Sequence, residues 1–194
     1  MKVNLITGNS NKVKEFKILL EPEIKVNHIP LEYPELRSDD PEEIVKVAVK
    51  QLAEKLEIPV IAEDSGLFID AKNGFPGTCT KYVSERIGNK GLLMLMKGVK
   101  NRKIFYRSAI GYCNPGKDPV SFRGMEEGTM SEKEKGTNGW GQDPIFIPKG
   151  KDKTYGETRE KDDVNIFRQK AICQLKEFIL KSNQRDPSDN LSLS

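Results

Sequence analysis

LITGNSNKVKEFKILL, residues 5–20, decides how the rest of the chain is read. An apolar run meets a Thr-Gly-Asn turn and then a helical pattern in which Val13, Phe16, Leu19 and Leu20 form one stripe. That order predicts a buried strand over residues 2–7 and a helix over residues 10–20. Gly8 allows a tight turn, Asn9 or Ser10 can cap the helix, and the free N–H groups of its first turn favour an anion. Lys12 adds a full charge there, against the helix dipole unless an anion lies between. The second glycine and the Gly-Lys-Ser/Thr ending of a P-loop are missing. Two readings therefore stand at this point, a phosphate site or an ordinary strand–turn–helix with a solvated lysine.

Outward from it, residues 23–29 suggest a second strand. Asp40-Pro41-Glu42-Glu43 starts a helix, with Asp at the N-cap, Pro at the first helical position and acids in the first turn. Its predicted stripe is Ile44, Val47, Ala48, Leu52 and Leu56. Residues 59–62 form a short apolar strand running into Glu63-Asp64-Ser65-Gly66, and residues 74–77 a turn. A helical region over 81–97 breaks near Gly88. Residues 103–113 and 120–130 have strand composition around Asn114-Pro115-Gly116 and predict a long hairpin. A glycine-rich loop, 133–144, holds the only tryptophan, and residues 161–180 read as a closing helix. Helices interspersed with strands predict a mixed-sheet α/β domain over residues 1–181, with a frayed tail over 182–194.

The single histidine, His28, lies in a strand-like segment, which removes Ser-His-Asp triads and multi-histidine zinc sites. Cys79, Cys113 and Cys173 are scattered and odd in number, and read as buried thiols of a reducing compartment, with cytoplasm as the expected location. No apolar run reaches membrane-spanning length. A net charge of +3 is too small to argue for a nucleic-acid partner. Any hydrolytic chemistry must rest on carboxylates, lysines and a hard metal.

Glu63 and Asp64 are adjacent acids at the expected end of a buried strand, where open α/β sheets place ligands. Neighbours on an extended chain point to opposite faces, so one acid enters a given site, and Asp64 is the better placed. Carboxylates hold Mg²⁺ one or two at a time, with substrate phosphates completing the shell. Glu35 and Lys81, each next to a stiff turn, say little alone. Trp140, between two glycines, suits stacking on a flat ligand, and Asp143 could accept from a base N–H.

Together these segments resemble the inosine triphosphate pyrophosphatase family. The blocks are TGNSNKVKE (7–15), AEDSGLFIDAKNGFPG (62–77), GWGQDPIF (139–146) and the terminal EK…A…L helix. The resemblance implies a long curved mixed β-sheet with helices forming two lobes around a central cleft, and a homodimer. It implies Mg²⁺-dependent hydrolysis of non-standard purine nucleoside triphosphates to monophosphate and pyrophosphate. Carried across by motif, Lys12 holds triphosphate oxygens, Asp64 activates water, and Glu35 helps Asp64 hold the metal. Thr7, Gly8, Asn9, Ser65 and Lys81 complete the phosphate side. Trp140, Gly141, Gln142, Asp143, Lys161 and Arg168 fall on the base side, Trp140 standing where the family usually has phenylalanine.

The departures are local. The family has Ser-His-Arg near the start of its last helix. Anchoring on Ala171 sets Ile166 and Phe167 opposite the Ser and His and keeps Arg168; anchoring on Lys161 sets Asn165 at the serine and loses the arginine. A family lysine of the second helix falls at Ala48, with Lys46 and Lys50 as substitutes. The alternatives are a pyrophosphatase with altered base choice and a non-enzymatic nucleotide- or RNA-binding module.

Overall fold

The computed structural model describes residues 1–34 and 36–184. Strand β1 (Lys2–Ile6) pairs in parallel with β2 (Lys25–Ile29), a connection that needs a crossover, and α1 (Ser10–Leu20) supplies it. Asn9 caps α1 by accepting from the N–H groups of Asn11 and Lys12 at 2.9 and 3.4 Å. Phe16 and Leu20 are fully buried against Leu5 and Ile24, as the stripe predicts. Helix α2 (Pro41–Leu56) begins at the expected cap, the Asp40 carboxylate accepting from Glu42 N–H at 2.9 Å. Its buried face is Ile44, Val45, Ala48, Val49, Leu52 and Ala53; Val47 is exposed, so the real stripe lies one position round from the expected one.

The largest departure is β3 (Val60–Ile69). The sequence predicts a short strand over residues 59–62 that ends at the two acids; the strand instead runs straight through Glu63 and Asp64. It pairs in parallel with β1 and, over all ten residues, antiparallel with β5 (Lys103–Cys113), Glu63 lying opposite Ile110 and Asp64 opposite Ala109. Glu63 is tolerated inside a central strand because the Lys12 and Arg168 cations meet it there. Strand β4 (Pro76–Gly77) pairs with the far end of β3, and α3 (Thr80–Leu95) follows, kinked at Gly88 where φ is +60°. Strands β5 and β6 (Val120–Met130) form the predicted hairpin with the predicted ends. Strand β7 (Phe146–Pro148) adds to its edge. The seven-stranded mixed sheet runs β2-β1-β3-β5-β6-β7, with β4 attached to β3.

After a short helix, α4 (Tyr155–Thr158), residues 161–165 are not helical, and α5 occupies Ile166–Gln184. The expected start at residue 161 fails because the Asp163 side chain turns the chain, accepting from Glu160 N–H at 2.8 Å. Helix α5 lies directly on β6: a Cβ at Gly124 would collide with the Phe167 carbonyl oxygen. Its apolar residues Ala171, Ile172 and Leu175 close the core begun by β1 and α1, while α2 covers the other face of the sheet. The expected tail starts inside α5, and its residues 185–194 lie outside the described residues, as does Glu35. Cys113 is buried, but Cys79 and Cys173 are exposed free thiols, which corrects the expectation of three buried ones.

Candidate active site

A cleft of about 810 Å³ opens where the β1–α1 turn, the middle of β3, the start of α3, the 139–143 loop and the start of α5 converge. Thr7, Gly8, Asn9 and Lys12 form one wall, Asp64 and Ser65 lie on β3, and Lys81 enters from α3. Trp140, Gly141, Gln142, Asp143 and Arg168 line the other end. Residues far apart in sequence therefore share one hollow. Lys161 does not join them. It lines a smaller hollow of about 360 Å³ with Lys14 and Arg159, and Trp140 is the wall common to both. Ala48 is buried in the α2 core, and neither Lys46 nor Lys50 lines the cleft; Lys50 donates to the Lys117 carbonyl at 2.8 Å.

The phosphate wall differs in detail from the expectation. The N–H groups of Asn11 and Lys12 are taken by Asn9, and Asn9 N–H donates to Thr7 Oγ1 at 3.1 Å. The helix start thus offers less free amide than an uncapped one, and its positive character rests more on Lys12. Lys12 Nζ reaches across to β3, donating to the Glu63 carbonyl at 2.8 Å and pairing with Glu63 Oε2 at 2.7 Å.

Glu63 and Asp64 are both buried, and strand alternation gives them different surroundings. Ser108 Oγ donates to Glu63 Oε1 at 2.6 Å, and Arg168 Nε pairs with the same oxygen at 3.2 Å. Burial by itself would push the Glu63 carboxyl up, but the Arg168 and Lys12 cations outweigh it and hold its pKa down to about 2. Both its oxygens are committed inside the protein, to Ser108 and Arg168 on one side and Lys12 on the other.

Arg168 is completely enclosed. Its Nη1 pairs with Glu15 at 2.6 Å and its Nη2 donates to Ser65 Oγ at 3.2 Å, in addition to the Glu63 contact. Desolvation disfavours the cation, yet Glu63 and Glu15 overcome it and raise its pKa. From Glu15 the polar contacts continue through Asn165 (2.8 Å) to Arg159 (2.9 Å) and on to Asp143 (3.3 Å). Asp143 Oδ2 also accepts from Trp140 N–H at 2.8 Å, so this carboxylate holds the base-side loop in shape. Burial raises the Asp143 pKa against the pull of Arg159 and of the Trp140 amide.

At the Trp140 end of the cleft, Phe167 stacks on Tyr106 at 4.5 Å and 16°, and Tyr106 OH donates to Gln142 Oε1 at 3.0 Å. Gln142 Nε2 donates in turn to Ser84 Oγ at 2.6 Å, tying the loop to α3. The sequence reading left Ser108, Tyr106 and Arg159 out of its site, and took Glu15 only as part of the first motif, without a role. Ser108 and Tyr106 are two apart on β5 and share a face, a weak signal in a strand of mixed composition.

The family model for the Ham1 family matches residues 3–178. The chain belongs to this family. Among Ham1 relatives, a dITP/XTP pyrophosphatase of Methanopyrus kandleri is 47% identical, covering 92% of this chain and 96% of its own length. A dITP/XTP pyrophosphatase of Korarchaeum cryptofilum is 40% identical, covering 90% and 94%. The solved structure of the Staphylococcus aureus Ham1 protein superposes with a TM-score of 0.79 at 26% identity, covering 92% of this chain and 99% of that one. The Ham1 fold therefore extends over nearly all the described residues.

Proposed function

We propose that this chain hydrolyses deaminated purine nucleoside triphosphates, dITP, ITP and XTP, to the monophosphate and pyrophosphate. The observation that carries the reading is the single cleft in which Lys12 and Lys81 share space with the buried Asp64 and with Trp140. Relatives called dITP/XTP pyrophosphatases, similar along about nine-tenths of the chain, support the same activity. Hydrolysis of a phosphoanhydride concentrates negative charge on phosphoryl oxygens, and positioned cations stabilise it most in a partly dry cleft. Lys12 and Lys81 take that role. Asp64 accepts the proton of the attacking water, and Trp140 offers its ring to the purine.

Among the described residues no three His, Cys, Asp or Glu side chains gather as a metal-binding group. Mg²⁺ asks for less, one or two carboxylates with phosphate oxygens around them, and Asp64 fits that donor chemistry. Glu35 is the second ligand in this reading. When bound, Mg²⁺ would neutralise triphosphate charge. The proposal includes a homodimer acting on the cytoplasmic nucleotide pool, with no nucleic-acid partner.

A second reading, altered base preference, has its own motive. Phe167 lies where the Ala171 register puts the family histidine, and its ring is spent on Tyr106. Pyrophosphate release should be measured across dITP, XTP, dGTP and ATP with Mg²⁺. We expect multiple turnover on the deaminated purines and a loss of about a thousandfold or more in Asp64→Asn. Unchanged turnover by that variant removes Asp64 from the chemistry. Failure of the unmodified chain to release pyrophosphate from any triphosphate rejects the enzyme reading in favour of a binding module.

A further inference from the structure

We infer that Arg168 and Glu63 are positioning residues for Lys12, so that an arginine at the base end of the cleft acts on the triphosphate. The inference deepens the proposed activity and rests on it for its kinetic consequences. Arg168 is fully enclosed and all three of its nitrogens are engaged, by Glu63, Glu15 and Ser65. Three of its five N–H donors are thereby spent inside the protein. What it touches leads to the other end of the cleft.

Glu63 holds Lys12 at two points, through its carboxylate and its own carbonyl. The other carboxylate oxygen is anchored by Ser108 and Arg168. A long lysine side chain has rotamer entropy to lose when it is fixed. Pinning it beforehand spares that loss when substrate arrives, which is the general benefit of a preorganised cation. Ser108 and Arg168 fix the glutamate, and the glutamate fixes the ammonium. The path of influence runs Arg168 to Glu63 to Lys12, along contacts of 3.2 and 2.7 Å.

A base-reading arginine and a lysine-positioning arginine make opposite kinetic predictions. The variants are Arg168→Gln, Glu63→Gln and Ser108→Ala, each alone and combined with Lys12→Ala, assayed for pyrophosphate release from dITP and from ATP. In the two charge variants kcat/KM should fall by about tenfold or more on both nucleotides, the dITP-to-ATP ratio staying within about twofold. Combined with Lys12→Ala, each loss should be smaller than the product of the single losses, because the residues act as a unit. Ser108→Ala keeps every charge and guards against misfolding of the others. It should show the same pattern at about threefold.

Collapse of the dITP-to-ATP ratio in Arg168→Gln with Glu63→Gln near wild type overturns the inference, and so do multiplicative losses. A second readout needs no turnover. Acetylation of Lys12 by a water-soluble acyl ester, followed by mass spectrometry against the exposed Lys17, should accelerate in Arg168→Gln, Glu63→Gln and Ser108→Ala. It should not do so in Trp140→Ala. Unchanged Lys12 labelling in the first three overturns the pinning even in an active enzyme. An unmodified chain without pyrophosphatase activity rejects the proposed function while leaving the pinning to be decided by the labelling.

Discussion

Glu63 is an acid that burial should keep neutral, yet Arg168 and Lys12 keep it charged. Its folded-state pKa lies below the ordinary value of 4.5, at about 2, so the stabilisation it brings is complete above the higher value and lost as pH falls toward the lower one. Asp143 and Glu126, both raised by burial, work in the opposite direction over acid pH. The comparison that isolates Glu63 is therefore between wild type and Glu63→Gln in urea unfolding at several pH values. Near neutrality the variant should be less stable by about 3 kcal/mol, because Arg168 and Lys12 lose their counter-charge. The gap should narrow steadily below pH 4.5. A gap that stays constant from neutrality to pH 2.5 would show that the carboxylate charge does not carry it. At this scale the sequence shows which residues bear charge and hides which are paired. Lys12 is readable as a cation beside a turn, whereas its grip on Glu63 depends on how β3 passes beneath α1.

Among the elements, those with chemical punctuation are legible in advance. Asn9 before α1, Asp40-Pro41 before α2 and the Asn-Pro-Gly turn between β5 and β6 each announce a boundary by local hydrogen bonding or fixed φ. Strand β3 escapes because local grammar treats Glu-Asp-Ser-Gly as a turn. Only the facing strand β5 and the buried cations make an extended path favourable there. The start of α5 escapes for the reverse reason, an aspartate side chain bending a segment whose composition suits a helix. The seating of α5 on β6 depends on Gly124, where even one methyl group meets the Phe167 carbonyl. Gly124→Val should cost about 3 kcal/mol in chemical denaturation and lower kcat with it, since the helix carries Arg168. Wild-type stability in that variant would mean that α5 can shift outward without cost.

For the whole molecule, the cleft is assembled from both ends of the chain. One wall comes largely from the first helix and β3, and the opposite end from the last loops and helix. Block order and spacing in the sequence suffice to suggest that assembly. The division of residues between two hollows on either side of Trp140 is not visible there, because it depends on side-chain direction in a loop. The proposed homodimer belongs to this scale too. Light scattering should give twice the chain mass of 21.9 kDa at micromolar concentration, and a value that stays at one chain mass rejects it.

Helix α5 closes the core over Phe16 and Leu20 with Ala171 and Leu175, and its first turn carries Arg168. On the ribosome this means that α1 and β1 wait, with their apolar faces uncovered, until nearly all of the described chain has emerged. The same late segment that shields them also delivers the counter-charge for Glu15 and Glu63. A nascent or C-terminally clipped chain lacks both at once, so completeness of synthesis is a condition of forming the catalytic cleft. Quality-control proteases would meet the unfinished chain as one exposing grease and unpaired acid together, and the finished chain as one in which these apolar faces and these two acids are covered.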